Sequence, residues 1–210
     1  MLIALLLVTG TFSSCKKEAA APKDYSLSIK DKTWWGMLTN AGETAQAYSV
    51  RFNAENTLVW SQLSGDYPGR WSVEKNKLTL TFTSPNVTVT ADITDDNNLA
   101  NITTNTANKV NSGELVADPN ISLDNTVWTG SVNNPLQTMQ LNFLPNLKVQ
   151  RKIGIVTYNP IAYTRSPSGG FIRIDLGSGI APYIIGVIAS RSEMNGIAFI
   201  PATSWQLIKQ

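Results

Sequence analysis

Apolar and polar residues alternate with a period of two through much of the chain. In residues 47–53, Tyr48, Val50 and Phe52 alternate with Ser49, Arg51 and Asn53. In residues 77–82, Leu78, Leu80 and Phe82 alternate with Lys77, Thr79 and Thr81, and residues 86–94 set Val87, Val89, Ala91 and Ile93 against Thr88, Thr90 and Asp92. This period predicts strands with one face on a core and the other in water. Polar clusters at Ala54-Glu55-Asn56, Glu74-Lys75-Asn76 and Asp95-Asp96-Asn97-Asn98 separate them and predict turns. No stretch of ten residues carries a 3.6-residue period, so the expected class is all-β.

Landmarks recur at a spacing of about 92 residues, the mark of an internal repeat. Asp31-Lys32-Thr33-Trp34-Trp35-Gly36 matches Asp124-Asn125-Thr126-Val127-Trp128-Thr129-Gly130, and Tyr48-Ser49-Val50-Arg51-Phe52 matches Met139-Gln140-Leu141-Asn142-Phe143. Gly69-Arg70-Trp71-Ser72-Val73 matches the run 161–165, residues 99–103 match 196–200, and Ser112-Gly113-Glu114-Leu115-Val116 matches Ser204-Trp205-Gln206-Leu207-Ile208. The seam falls at Ala117-Asp118-Pro119-Asn120. The alternating runs are only about five to eight residues long, which favours two small modules, 31–117 and 118–210, over one barrel of longer strands.

These landmarks resemble the small lipocalin-like modules of exported bacterial lipoproteins. Such modules open on a Trp-x-Gly strand, here Trp35-Gly36 and Trp128-Thr129-Gly130. They continue through a hairpin (51–57) and a Gly-x-Trp-x-Val strand (69–73), and close on Trp-x-Leu, here Trp205-Gln206-Leu207. The second module departs from the pattern, with Leu144-Pro145-Asn146 lacking the hairpin glycine and Tyr163 replacing Trp. The resemblance implies tandem antiparallel β-barrel or sandwich modules, and with them an internal cavity for an apolar ligand.

The first residues carry a different signal. Residues 2–8 are an unbroken apolar run, too short to span a bilayer, which takes about 20 residues. Small residues follow at Ser13 and Ser14, as at a secretory cut site. Phe12-Ser13-Ser14-Cys15 resembles a lipoprotein lipobox, although Phe12 stands where Leu is usual and no basic residue precedes the apolar run. A start site assigned too far downstream accounts for the missing charge. The expectation is a signal peptide over 1–14, a lipid on Cys15 and a flexible tether over 15–30. Several acyl chains make such an anchor stable. The expected location is the cell envelope, at the periplasmic or surface face of the outer membrane.

Composition narrows the chemistry. The chain holds no histidine and one cysteine, so with Cys15 lipidated there is no Ser-His-Asp or Cys-His nucleophile, no His-based metal site and no disulfide. A non-enzymatic protein without cofactor or metal is expected. Net charge is +2 with no basic run outside the tether, which gives no nucleic-acid footprint. Counted by module, residues 31–117 hold 6 Lys/Arg and 9 Asp/Glu (net −3), whereas 118–210 hold 7 and 4 (net +3). Opposite signs favour docking of one module on the other.

Few residues stand out as site candidates. Trp34 and Trp60 lack an assigned structural role and are the candidates for exposed contacts, including stacking on a glycan. Residues 183–190 are apolar on both faces. Tyr183, Ile185 and Val187 therefore belong to a doubly covered strand, a module–module contact or the wall of an apolar cavity. Asp95-Asp96-Asn97-Asn98 offers oxygens for calcium, but a polar turn explains it more simply. Gly177-Ser178-Gly179 reads as a turn. The leading expectation is a lipid-anchored binding or scaffold protein for a small apolar molecule or an envelope protein. The alternative is a surface glycan-binding accessory.

Overall fold

A computed structural model describes residues 23–43, 45–116, 119–132, 136–177, 183–199 and 202–210. It is all-β apart from one short helix, α1 (Tyr25–Ile29). The first module contains β1 (Thr33–Thr39), β2 (Gln46–Phe52), β3 (Thr57–Gln62), β4 (Gly65–Glu74), β5 (Lys77–Thr83), β6 (Asn86–Ile93), β7 (Leu99–Thr104), β8 (Lys109–Val110) and β9 (Glu114–Val116). Each of the first six strands pairs antiparallel with the next, and β1 also pairs with both β8 and β9. The Leu99 amide donates to the Gly113 carbonyl at 2.7 Å, which joins β7 to the start of β9 and rounds the sheet into a barrel. The last stave is therefore broken into two short pieces.

The second module contains β10 (Thr126–Val132), β11 (Gln137–Leu144), β12 (Lys148–Ile153), β13 (Val156–Thr157), β14 (Ile161–Arg165), β15 (Phe171–Asp175), β16 (Tyr183–Ile188), β17 (Glu193–Phe199) and β18 (Ala202–Lys209). Here the ring closes through a full register between β10 and β18, from Trp128↔Lys209 to Val132↔Trp205. Side chains alternate in and out along each stave, as closure requires. The two tandem modules are thus barrel-like antiparallel sheets, and the single large barrel is not formed.

The repeat is visible in local geometry. Ile29 and Leu123 are both buried just before the first stave, each followed by a left-handed residue, Asp31 and Asn125. Lys32 N donates to Ile29 O, and Thr126 N to Leu123 O. Phe52 meets Trp71 edge-on at 5.9 Å, and Phe143 meets Tyr163 edge-on at 5.1 Å. The aromatic pair is kept although Trp has become Tyr.

Three expectations need correction. The tether does not run to Lys30, because residues 25–29 form α1. The Asp24 carboxylate caps it by accepting from Ser26 N and Leu27 N, and Ile29 plugs one end of barrel 1. In the Trp34-Trp35 pair, Trp34 rather than Trp35 points into the barrel, so the Trp-x-Gly motif is Trp34-Trp35-Gly36. The third concerns β2, whose Ser49 face was expected to be wet. Ser49 is fully buried, because the second barrel covers that face.

The inter-barrel contact is apolar at its centre. Ala47, Phe171, Ile185, Val187 and Ile197 form a buried cluster, with Trp35, Met37 and Leu63 packed against it. Polar contacts flank it. Thr33 Oγ1 donates to Ser168 O at 3.2 Å, and Arg173 donates through Nη2 to Gln62 O at 2.6 Å and to Asp66 Oδ1 at 3.0 Å. Thr33 and Ser168 lie at the ends plugged by Ile29 and Leu123, while Gln62 and Arg173 lie further along their barrels. The barrels therefore stand side by side with their unplugged ends turned the same way.

Candidate functional site

The open end of barrel 1 holds a cavity of about 110 Å³. Its floor and walls come from inward positions of the alternating strands: Leu38 of β1, Trp60 of β3, Phe82 of β5, Val87 and Val89 of β6, and Val110 of β8. The end of β7 and the segment after it supply Thr104, Thr106 and Asn108 across the mouth, and Asn40, Gln62, Tyr67 and Pro85 complete the rim. The walls are aliphatic and aromatic, the rim is hydroxyl and amide, and none of these thirteen residues carries a formal charge.

Aromatic packing holds the floor rigid. The rings of Tyr48 and Trp60 stack in parallel with centroids 4.0 Å apart, and Phe82 meets Trp60 edge-on at 6.1 Å. The Tyr48 hydroxyl donates to Ser112 O at 2.6 Å. Burial, with a smaller contribution from Glu114, pushes that hydroxyl far above its ordinary pKa, so it stays protonated. A hydrogen-bond chain runs around the rim. Trp60 Nε1 donates to Gln62 Oε1, Gln62 Nε2 donates to Ser64 Oγ, and Ser64 shares a hydrogen bond with the Tyr67 hydroxyl. This chain fixes which way the Gln62 amide points.

Barrel 2 is filled differently at the corresponding end. The Trp205 ring lies across the backbone of Gly186 and Gly196, where an added Cβ would stand 2.5 Å and 2.3 Å from ring carbons. Arg151 takes the place that Trp60 holds in barrel 1, and its guanidinium stacks 4.1 Å from the Tyr158 ring centroid. Burial lowers the Arg151 pKa. The β12–β13 hairpin then projects Ile155, which is 96% exposed, and Leu136, just before β11 at the same end of the barrel, is 76% exposed.

The residues singled out from sequence distribute unevenly over this geometry. Trp60 lines the cavity, but as a buried wall at 6% exposure rather than an exposed platform. Trp34 is wholly buried, and its Nε1 donates to Asn97 O at 2.7 Å, so it offers no ring face to a glycan. Ile185 and Val187 face barrel 1 across the inter-barrel contact, while Ile184 and Ile188 of the same strand fill the core of barrel 2. Neither Ile185 nor Val187 lines the barrel 1 cavity. Tyr183 opens β16, but its side chain lies outside the described features, and Cys15 lies outside the described residues.

The turn 95–98 is used structurally. Tyr25 donates to Asp95 Oδ1, Lys23 donates to Asp95 O, and Leu115 N donates to Asn98 Oδ1. Among the described residues no three His, Cys, Asp or Glu gather as metal ligands. From the sequence Phe82 and Val89 are legible only as strand residues facing inward, and Val110 lies in none of the alternating runs. Their role depends on where the barrel is left unfilled, which no local pattern encodes. No family model, curated protein or solved structure matches the chain.

Proposed function

We propose that the chain is a non-enzymatic binding protein of the cell envelope, tethered by lipid on Cys15, whose barrel 1 cup takes the apolar part of a small neutral molecule. The observation that carries this reading is the pairing of an apolar floor (Leu38, Trp60, Phe82, Val89) with an uncharged amide and hydroxyl rim. Pockets of this kind take apolar bodies, and a few placed polar groups orient them. The cup of about 110 Å³ is open at its mouth, so it suits a slender aliphatic chain whose hydrogen-bonding end stays at the rim. Because the rim offers no charge, a neutral hydroxyl or amide is favoured over a carboxylate or an ammonium.

The test is calorimetric titration with 1-hexanol, using hexanoate as the charged comparison. Saturable binding of the alcohol with a negative heat-capacity change is expected. Val87→Phe, which fills the cup from a half-buried wall position, is expected to abolish it. Equal binding to the wild type and to Val87→Phe, or none to the wild type, would sink the reading. The anchor is tested separately: Cys15→Ala is expected to move the protein from the membrane to the soluble fraction.

A further inference from the structure

The Ile155 hairpin and the barrel 1 cup are complementary surfaces on one chain, and we propose that two copies dimerise by each placing this hairpin at the other's cup. The hairpin is built to protrude. Gly154, with φ of 56°, turns the chain between β12 and β13, and its amide donates to Thr138 O at 2.8 Å, holding the tip against β11. Ile155 is 96% exposed, Leu136 76% and Val156 50%, so three aliphatic side chains stand in water at one end of barrel 2. A cup of about 110 Å³ with aliphatic and aromatic walls matches one such side chain in size and chemistry.

The arrangement of the barrels decides the occupant. The two ends away from the Ile29 and Leu123 plugs face the same way, with cup and tip side by side. A two-fold axis normal to the plane of the two barrel axes inverts one copy over the other. It sets each tip opposite the partner's cup, and the contact closes on itself instead of growing into a filament. The same operation brings each net −3 barrel against a net +3 barrel. The local groups are mixed but compatible. Glu43 and Lys109 lie around the cup end, where Asp66 is already paired with Arg173, and Arg151, Lys152 and Asp175 lie around the tip. Lys23 bonds to Asp95 O at the plugged end of barrel 1, away from the tip. The contact is small and belongs with weak, transient interfaces. It rests on the cup's being open to apolar groups, as proposed above, and it makes ligand and partner compete for the same space.

The experiment is sedimentation equilibrium of the chain from Lys16 onward, which keeps every described residue. A reversible dimer is expected. Ile155→Asp, at a position outside the core, is expected to weaken it roughly tenfold or more. Thr106→Trp, which blocks the mouth from its exposed rim, is expected to do the same, while Leu27→Asp on α1 leaves it unchanged. Added 1-hexanol is expected to dissociate the wild-type dimer. A monomer at every concentration, or a dimer indifferent to both substitutions, overturns the proposal. Calorimetry on the Ile155→Asp monomer separates the two readings. If it binds 1-hexanol while the wild type never dimerises, only the dimer falls. If the dimer depends on Ile155 and no variant binds 1-hexanol, the dimer stands and the small-molecule reading falls.

Discussion

Trp34 shows how much one position decides. Its ring is wholly buried, meets Phe52 edge-on at 4.9 Å and donates to Asn97 O. Trp34→Ala is expected to cost about 3–5 kcal/mol in urea denaturation, as large aromatic truncations do. Trp35→Ala should instead weaken the inter-barrel contact and spare the core of barrel 1. Alternation alone left open which of two adjacent tryptophans points inward. The deciding residue is Gly36, two places from Trp34, where a Cβ would stand 2.0 Å from Ser112 O. That restraint comes from a segment 76 residues away, so no local reading reaches it. Two titrations also belong at this scale. Tyr48 is expected to contribute no tyrosinate absorbance until alkaline unfolding, and Tyr48→Phe should remove that late step. The Lys77 ammonium, with the Asn101 amide, holds the Asp92 carboxyl below its usual value. A folded value below the unfolded one gives stability that is present above about pH 4 and fades as pH falls through the folded value. Asp92→Asn should therefore flatten the acid limb of a stability profile.

At the scale of elements, strand identity was readable and strand environment was not. The runs 47–53, 77–82 and 86–94 are β2, β5 and β6 almost to the residue. Yet β2 is buried on both faces, because Ser49 and Ser61 pair across strands beneath the second barrel. Small hydroxyls read as surface residues, yet they tolerate burial, and the pattern has no term for a neighbouring module. Residues 183–188 gave the opposite signal, apolar on both faces, and their divided allegiance follows from it. The glycines of β16 and β17 are equally telling. Gly196→Val is expected to displace Trp205 and destabilise barrel 2 by more than the 1–3 kcal/mol typical of overpacking, since two ring carbons stand in the way. A red shift of Trp emission together with lower urea resistance would report it.

For the whole molecule, the inter-barrel contact is expected to make the two repeats unfold as one cooperative body. Ala47, Phe171, Ile185 and Val187 are each fully buried at this contact. A single unfolding transition is expected for the wild type. Ile185→Asp buries an unpaired carboxylate there and is expected to split urea unfolding into two steps, one per barrel, read by fluorescence and far-ultraviolet dichroism. One transition persisting in that variant would show that the barrels are coupled by something other than this cluster. The opposite module charges agree with the Arg173–Asp66 pair, a partly buried contact that deserves only modest weight in stability.

Barrel 1 closes through a single bridge at Leu99 and a last stave split into two- and three-residue pieces, whereas five residue pairs join β10 to β18. The split stave runs past the cup, where Val110 forms part of its wall. Deuterium should therefore enter the amides of residues 99–116 sooner than those of β10 and β18. Entry and exit of anything held in the cup then follow the breathing of this one seam, so occupancy is governed by a clock in the backbone as much as by the shape of the walls.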